Sequence, residues 1–301
     1  MTPALALRRP VWPMLVAAFI GGAAVLAAFF PAAISVAAVF VFAGPHNWFE
    51  ARYFAARMPV RWTGQRGFFV AALAGIAGLS ATFSVIPVDR SLWHAALVCW
   101  LLCLVQFSRR RMTAVQLASG LAWIAFACLF PEYADLALVY LHPVAALWFV
   151  HRQVAKSRPE WMPQVRTMAA ALPLLALFII AARAGQPSIN ALQFASFAPL
   201  ANSSALVALH AFLELLHYGA WVVLLPMIGL ATSPWDLRTI PLVRHRLGWP
   251  KAVSAVLAAG AVLVLLLWVL FLLDFSTTRS IYFSVAIVHV LAEVPFLLWL
   301  R

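Results

Sequence analysis

Three short stretches of this chain set histidine and glutamate into apolar runs at helical spacing. LHAFLELLHY, from Leu209 to Tyr218, carries His210, Glu214 and His217; GPHNWFE carries His46 and Glu50; HVLAE carries His289 and Glu293. In each, a glutamate follows a histidine by four residues, which on a helix puts both groups on one face a turn apart. The chain has nine acidic residues and eight histidines, so three such pairings draw on a large share of both.

Imidazole with carboxylate is the ligand set of non-haem iron, and it also suits manganese or zinc. Glu214 and His217 have in addition the Glu-x-x-His spacing by which di-iron helical bundles point two ligands inward. His46, Glu50, His210, Glu214, His217, His289 and Glu293 would suffice for one or two metal ions with open positions. Two other uses of the same residues stand beside this one. They can titrate along a proton or ion pathway, or each His and Glu can neutralise the other as a buried hydrogen-bonded pair.

His142, in YLHPVAALWFVHR, is a further candidate ligand, although a lone histidine before proline also serves helix packing. His94 is expected at an interface, and His151 and His245 abut arginines and are expected in solvent. Cys99, Cys103 and Cys128 read as small apolar packing residues. The chain has no glycine-rich phosphate loop, no nucleophile elbow and no haem-attachment motif. Trp48, Phe49, Tyr53, Phe54, Phe212, Trp221, Tyr282 and Phe283 flank the polar positions and are candidates to line an apolar pocket.

The elements that must carry these groups follow from composition. With 65% hydrophobic residues, 10% charged and a mean hydropathy of +0.96, the 301 residues read as an all-α, polytopic bundle of transmembrane helices forming a single domain. About ten spans can be drawn: from Val11 to Phe30 after Arg8 and Arg9, then Ala32 to about Ala55, Gly67 to Val88, Ser91 to Ser108, and Met112 to Phe130. The second five run from about Leu136 to His151, Thr167 to Ala182, Ser203 to Gly229 (with Asn202 and Ser203 as caps), from the Lys251 loop to Asp274, and Ser280 to Leu300.

Loops after even-numbered spans are basic: Arg52, Arg57, Arg61 and Arg66; Arg109, Arg110 and Arg111; Arg152, Lys156, Arg158 and Arg166; Arg238, Arg244, Arg246 and Lys251. Loops after odd-numbered spans are neutral or acidic, as at Glu132 to Asp135. That alternation is the positive-inside pattern with both termini cytoplasmic, in a bacterial inner membrane. The net charge of +12 is therefore topological bias and attraction to the lipid bilayer, with no nucleic acid implied.

Spans two, eight and ten run in the same direction, so the rise of about 1.5 Å per residue carries their His and Glu residues to a common depth. A carboxylate there costs about 2.5–3.5 kcal/mol, and each of the three glutamates needs a proton, a partner or a metal.

GPHNWFE resembles the Gly-x-Pro-His-Gly-x-x-Asp signature of the bacterial and archaeal membrane β-carotene central-cleavage dioxygenases, the bacteriorhodopsin-related-protein family. LHPVAALWFVHR is similar to that family's His-Pro stretch and histidine-bearing helix end. The resemblance implies an iron site built from helix histidines, with His46, Glu50, His142 and His151 as its residues here, and a long apolar substrate. Asn47 stands where the signature has its second glycine, His94 lacks the family's following Phe-Gly-x-x-Asp, and His210 to His217 has no counterpart.

Together these readings lead us to expect an intramembrane non-haem metal oxidoreductase or oxygenase acting on a lipophilic substrate, with an electron-donor protein as a possible partner. The alternative is a proton- or ion-coupled membrane transporter using Glu50, Glu214 and Glu293. Haem held between two histidines is a third reading, and it leaves the carboxylates without a task.

Overall fold

In a computed structural model of the chain, residues 11–59, 64–86, 88–108, 112–187, 203–229, 236–244 and 249–299 are described. Among them every regular element is a helix, so the chain is an all-α polytopic protein. Its helices are α1 (Val11–Phe29), α2 (Pro31–Ala55), α3 (Arg66–Ser84), α4 (Arg90–Phe107), α5 (Ala114–Leu129), α6 (Pro131–Ser157) and α7 (Met162–Ala182). They continue with α8 (Ser204–Gly219), a π-helical turn (Ala220–Leu224), α9 (Leu225–Gly229), α10 (Pro241–Arg244), α11 (Pro250–Leu273) and α12 (Phe275–Trp299).

Nine helices among the described residues are long and apolar enough to cross a membrane, one of them formed by α8, the π turn and α9 together. The fifth expected span, α5, is apolar but has only 16 residues, short of the roughly 20 that a hydrocarbon core demands. The expected ten segments thus fold as helices near the positions drawn, with nine of spanning length. Arg8, Arg9, Arg61, the arginines at 109–111, most of the polar connector that begins at Gln186, Asn202, His245 and Arg246 lie outside the described residues.

Local signals explain where the helices begin. Asp89 caps α4 by accepting from the backbone N–H groups of Ser91 and Leu92 at 2.9 and 3.2 Å. Thr113 and Gln116 form a reciprocal capping box at α5, and Ser203 caps α8 by accepting from Leu206 N–H. Pro31, Pro131 and Pro250 each occupy a first helical position, where a missing N–H costs nothing. The acidic stretch Glu132 to Asp135, expected as a loop, therefore belongs to the first turns of α6, because Pro131 starts the helix early.

The described residues form two compact units, one drawn from 1–40 and 146–231 and the other from 41–145 and 232–301; the first two changes of unit fall within α2 and α6. In the first unit, Ala23, Ala24, Ala27 and Ala28 of α1 pack with Ala208, Ala211, Phe212 and Leu216 of α8 and Ile179 of α7. Small residues let helix backbones approach closely, which is how helices associate where lipid supplies no hydrophobic drive. In the second unit, Phe68, Phe69, Ala72 and Leu79 of α3 pack with Trp93, Leu97, Trp100 and Leu104 of α4 and Ile287 and Leu291 of α12. Three indole N–H groups are satisfied by helix carbonyls: Trp93 by Leu79, Trp100 by Ala71 and Trp48 by Leu257. Buried in a medium without water, each would otherwise carry a desolvation penalty.

Candidate metal centre

Five of the candidate residues meet in the second unit: His46 and Glu50 from α2, His142 from α6, and His289 and Glu293 from α12. Helical spacing stacks His46 over Glu50 and His289 over Glu293, and the facing helices bring the two stacks together. Tyr282, two turns before His289, ties α12 to α2, since Asn47 Nδ2 donates to its hydroxyl at 3.2 Å and to the Ala43 carbonyl at 3.0 Å.

One donor atom each from His46, Glu50 and His289 lies within 4.8 Å of the others. The His46 and His289 rings stand edge to face with centroids 5.2 Å apart, and His289 and His142 do the same at 4.9 Å. His142 Nε2 faces His289 Nε2 at 3.1 Å, and the other nitrogen of His142, Nδ1, is 3.2 Å from Glu293 Oε2. His46 Nδ1 lies 2.9 Å from the Phe42 carbonyl, so its proton sits on Nδ1 and its lone pair on Nε2.

The cluster is dry. His46, Glu50 and Glu293 are 1%, 2% and 1% exposed, and Glu50 Oε2 has no hydrogen-bond partner among the described residues. Glu50 and Glu293 are also near enough to act electrostatically on one another. Two carboxylates in a low-dielectric interior cannot both stay ionised without a compensating positive charge.

Each of the three helices also holds an internal proline close to the cluster: Pro45 before His46, Pro143 after His142, and Pro295 two residues beyond Glu293. A proline in mid-helix withholds an N–H and crowds the carbonyl four residues back, so these helices bend or loosen where they carry the polar groups. The sequence shows these prolines plainly, and their coincidence with the polar positions is a signal the spacing argument did not use.

His210, Glu214 and His217 lie on α8, in the other unit, and are buried there. His210 Nδ1 is 3.8 Å from Glu214 Oε2, and the Tyr218 hydroxyl donates to Glu214 Oε1 at 2.9 Å. The π turn that follows at Ala220–Leu224 is a feature often found beside functional side chains.

Several expectations change. His94, near the start of α4, is fully buried within the protein, with Nε2 3.0 Å from Asp135 Oδ1, and Trp123 Nε1 donates to its Nδ1 at 3.4 Å. The carboxylate that α6 presents in its second turn draws it in, while Arg90 balances that carboxylate at 3.4 Å. Arg52 is not a loop residue: it belongs to α2, is fully buried, and donates to the Asp236 carbonyl at 3.1 Å. His151 is exposed as expected, and the three cysteines are exposed thiols. No family model matches this chain, and neither a curated protein nor a solved structure shows significant similarity to it.

Proposed function

We propose that the cluster holds a non-haem iron ion through His46, His142, His289 and Glu50, and that the protein is an intramembrane oxygenase for a lipophilic substrate. The observation that carries this reading is the buried Oε2 of Glu50, which has no hydrogen-bond partner among the described residues and whose carboxylate lies within 4.8 Å of ring nitrogens on His46 and His289. A cation would satisfy a carboxylate so placed; His46, His289 and Glu50 are the two imidazoles and one carboxylate of the triad that leaves open positions on ferrous iron, with His142 a third imidazole beside His289.

The spacing of the remaining groups supports the same assignment. Two nitrogens that bind one cation at right angles from 2.1 Å stand about 3 Å apart, and His142 and His289 face each other at 3.1 Å. Glu293 behind His142 Nδ1 and the Phe42 carbonyl behind His46 Nδ1 are the outer partners that metal-bound imidazoles need to fix ring orientation and tautomer. Manganese or zinc would fit the same donors, and iron is favoured by the open triad.

Bound ferrous iron would supply an open, electron-donating site for dioxygen, and the protein's part is to hold it among buried side chains. A dioxygenation, in which both oxygen atoms enter the substrate, balances without an outside reductant; a monooxygenation would take two electrons from a donor protein. The alternation of basic loops supports insertion in a bacterial inner membrane with both termini cytoplasmic.

A proton-coupled carrier is the second reading, favoured by the string Glu293–His142–His289, along which a proton could pass. Elemental analysis and electron paramagnetic resonance of the purified protein with nitric oxide separate the two. The oxygenase reading expects roughly one iron per chain and a high-spin ferrous nitrosyl signal, both lost in His46→Ala and Glu50→Gln. Metal-free wild-type protein that takes up no iron would overturn it.

A further inference from the structure

The second unit also contains a cavity of about 300 Å³ beside the cluster, lined by Ala51, Phe54 and Ala55 of α2, Met58 in the turn after it, Phe69, Ala72, Leu73 and Ile76 of α3, Leu242 of α10, and Ala292, Pro295, Phe296 and Trp299 of α12. None of these is charged or a histidine. Ala51 follows Glu50 and Ala292 precedes Glu293, so one end of the cavity stands level with the two carboxylates. The other end lies near Met58 and Trp299, about 10 Å further along both helices at 1.5 Å per residue.

Four alanines, Ala51, Ala55, Ala72 and Ala292, keep the slot open by offering no bulk, and Phe54, Phe69, Phe296 and Trp299 wall it.

One aromatic pair lines the slot a turn beyond the carboxylates. On α2, His46, Glu50 and Phe54 follow one another at intervals of four on a single face; on α12, His289, Glu293 and Phe296 do so at four and three. The two faces end in the stacked rings of Phe54 and Phe296, with centroids 4.1 Å apart and planes 8° from parallel. Both rings also line the slot.

We propose that this slot binds a hydrocarbon chain of a membrane lipid, laid along α2 and α12 with one end beside Ala51 and Ala292 and flanked by the stacked rings of Phe54 and Phe296. The proposal rests on the oxygenase reading for the chain's chemical fate and not for its binding. The commitment to a hydrocarbon occupant comes from the lining: a slot without a charge or ionisable group rejects a headgroup, which would lose its hydration there.

The test is photolabelling of the purified full-length protein with palmitate bearing a diazirine on its terminal carbons, with adducts mapped by mass spectrometry and iron measured on the same samples. Adducts are expected on Met58, Phe69, Leu242 and Trp299 at least fivefold above those on the lipid-exposed Leu263 and Leu273. Either Ala292→Phe or Ala51→Phe, which fill the slot from different helices, should remove that enrichment, while Leu263→Phe should not. Each variant is first checked for a wild-type melting transition, so a misfolded one is replaced by the other. Adducts spread evenly over the lipid-exposed surface, or slot adducts that survive both filling variants, would overturn the proposal. Iron-free protein that still labels in the slot would overturn the oxygenase reading and leave the binding site standing.

Discussion

His142 and His289 face each other through their Nε2 atoms at 3.1 Å, although 147 residues separate them in the chain. Two neutral imidazoles in that arrangement must share one proton, because two N–H groups or two lone pairs would repel. On its far side, His142 Nδ1 lies 3.2 Å from Glu293 Oε2, at ion-pair distance but outside hydrogen-bond geometry. A metal that displaces this one proton would inherit two nitrogens already at ligand spacing.

Glu293 and His142 should therefore differ in what their loss does to metal binding. Glu293→Gln keeps the shape of the outer partner and removes its charge, so affinity should fall about 10–100-fold with the metal still bound at saturation. His142→Ala removes a ligand outright, and its loss should exceed that range. Competition against a chelator of known affinity measures both. Equal affinity for wild type and Glu293→Gln would show that the carboxylate does not orient His142.

How much of this site can be read from the sequence depends on the interaction. The His46/Glu50 and His289/Glu293 spacings mark the right faces of α2 and α12, since the periodicity of a helix is written in the chain. The partners are another matter. Glu293 meets His142, 151 residues away, and the imidazole of His46 turns back to the Phe42 carbonyl. Arg52 looks like the first charge of a cytoplasmic loop because nothing in its neighbourhood announces the Asp236 carbonyl that receives it. The partner of His94 is hidden for the same reason, Asp135 being 41 residues on. Depth and face are local properties, whereas the group that satisfies a buried charge is set by tertiary packing.

The Phe54–Phe296 stack should register as a coupling between two positions that are otherwise independent. Parallel aromatic rings are worth about 0.5–1.5 kcal/mol beyond the area they bury. In a double-mutant cycle with Phe54→Leu, Phe296→Leu and the double variant, the sum of the two single losses should exceed the loss in the double variant by that amount. Thermal unfolding in detergent reads the cycle, and additive losses would mean that the rings merely adjoin. Iron content should stay at the wild-type level in all three, because neither ring supplies a ligand.

Asp274 lies between the spans α11 and α12 and is fully exposed, and its carboxylate accepts from the Thr277 backbone N–H at 3.0 Å. Hydrogen bonds from the Thr277 side chain and backbone hold its carboxyl below the ordinary range. A depressed carboxyl contributes stability that is fully present above its unfolded value, near pH 3.9, and is lost as pH falls through the lower folded value. Acidification below about pH 4 should thus lower the melting temperature of wild type more than that of Asp274→Asn. Identical acid profiles would remove Asp274 from the account of how α12 begins.

Gly75 and Gly78 lie one turn apart on α3 and make opposite predictions. A Cβ on Gly75 would sit inside the van der Waals radius of the Trp100 indole on α4, whose Nε1 already donates to the Ala71 carbonyl at 2.9 Å. A Cβ on Gly78 would meet nothing within 4 Å. Gly75→Ala must either push α4 away or break the indole hydrogen bond, and overpacking of this kind costs about 1–3 kcal/mol. Gly78→Ala adds only helix propensity, worth up to about 1 kcal/mol in favour of the folded state in water. Lipid-facing helices keep the sign of that effect because the gain comes from backbone entropy. Opposite shifts in melting temperature, downward at 75 and level or upward at 78, are the expected result. A neutral Gly75→Ala would mean that α3 and α4 do not approach at Trp100, and the packing that seats α12 against them would have to be redrawn.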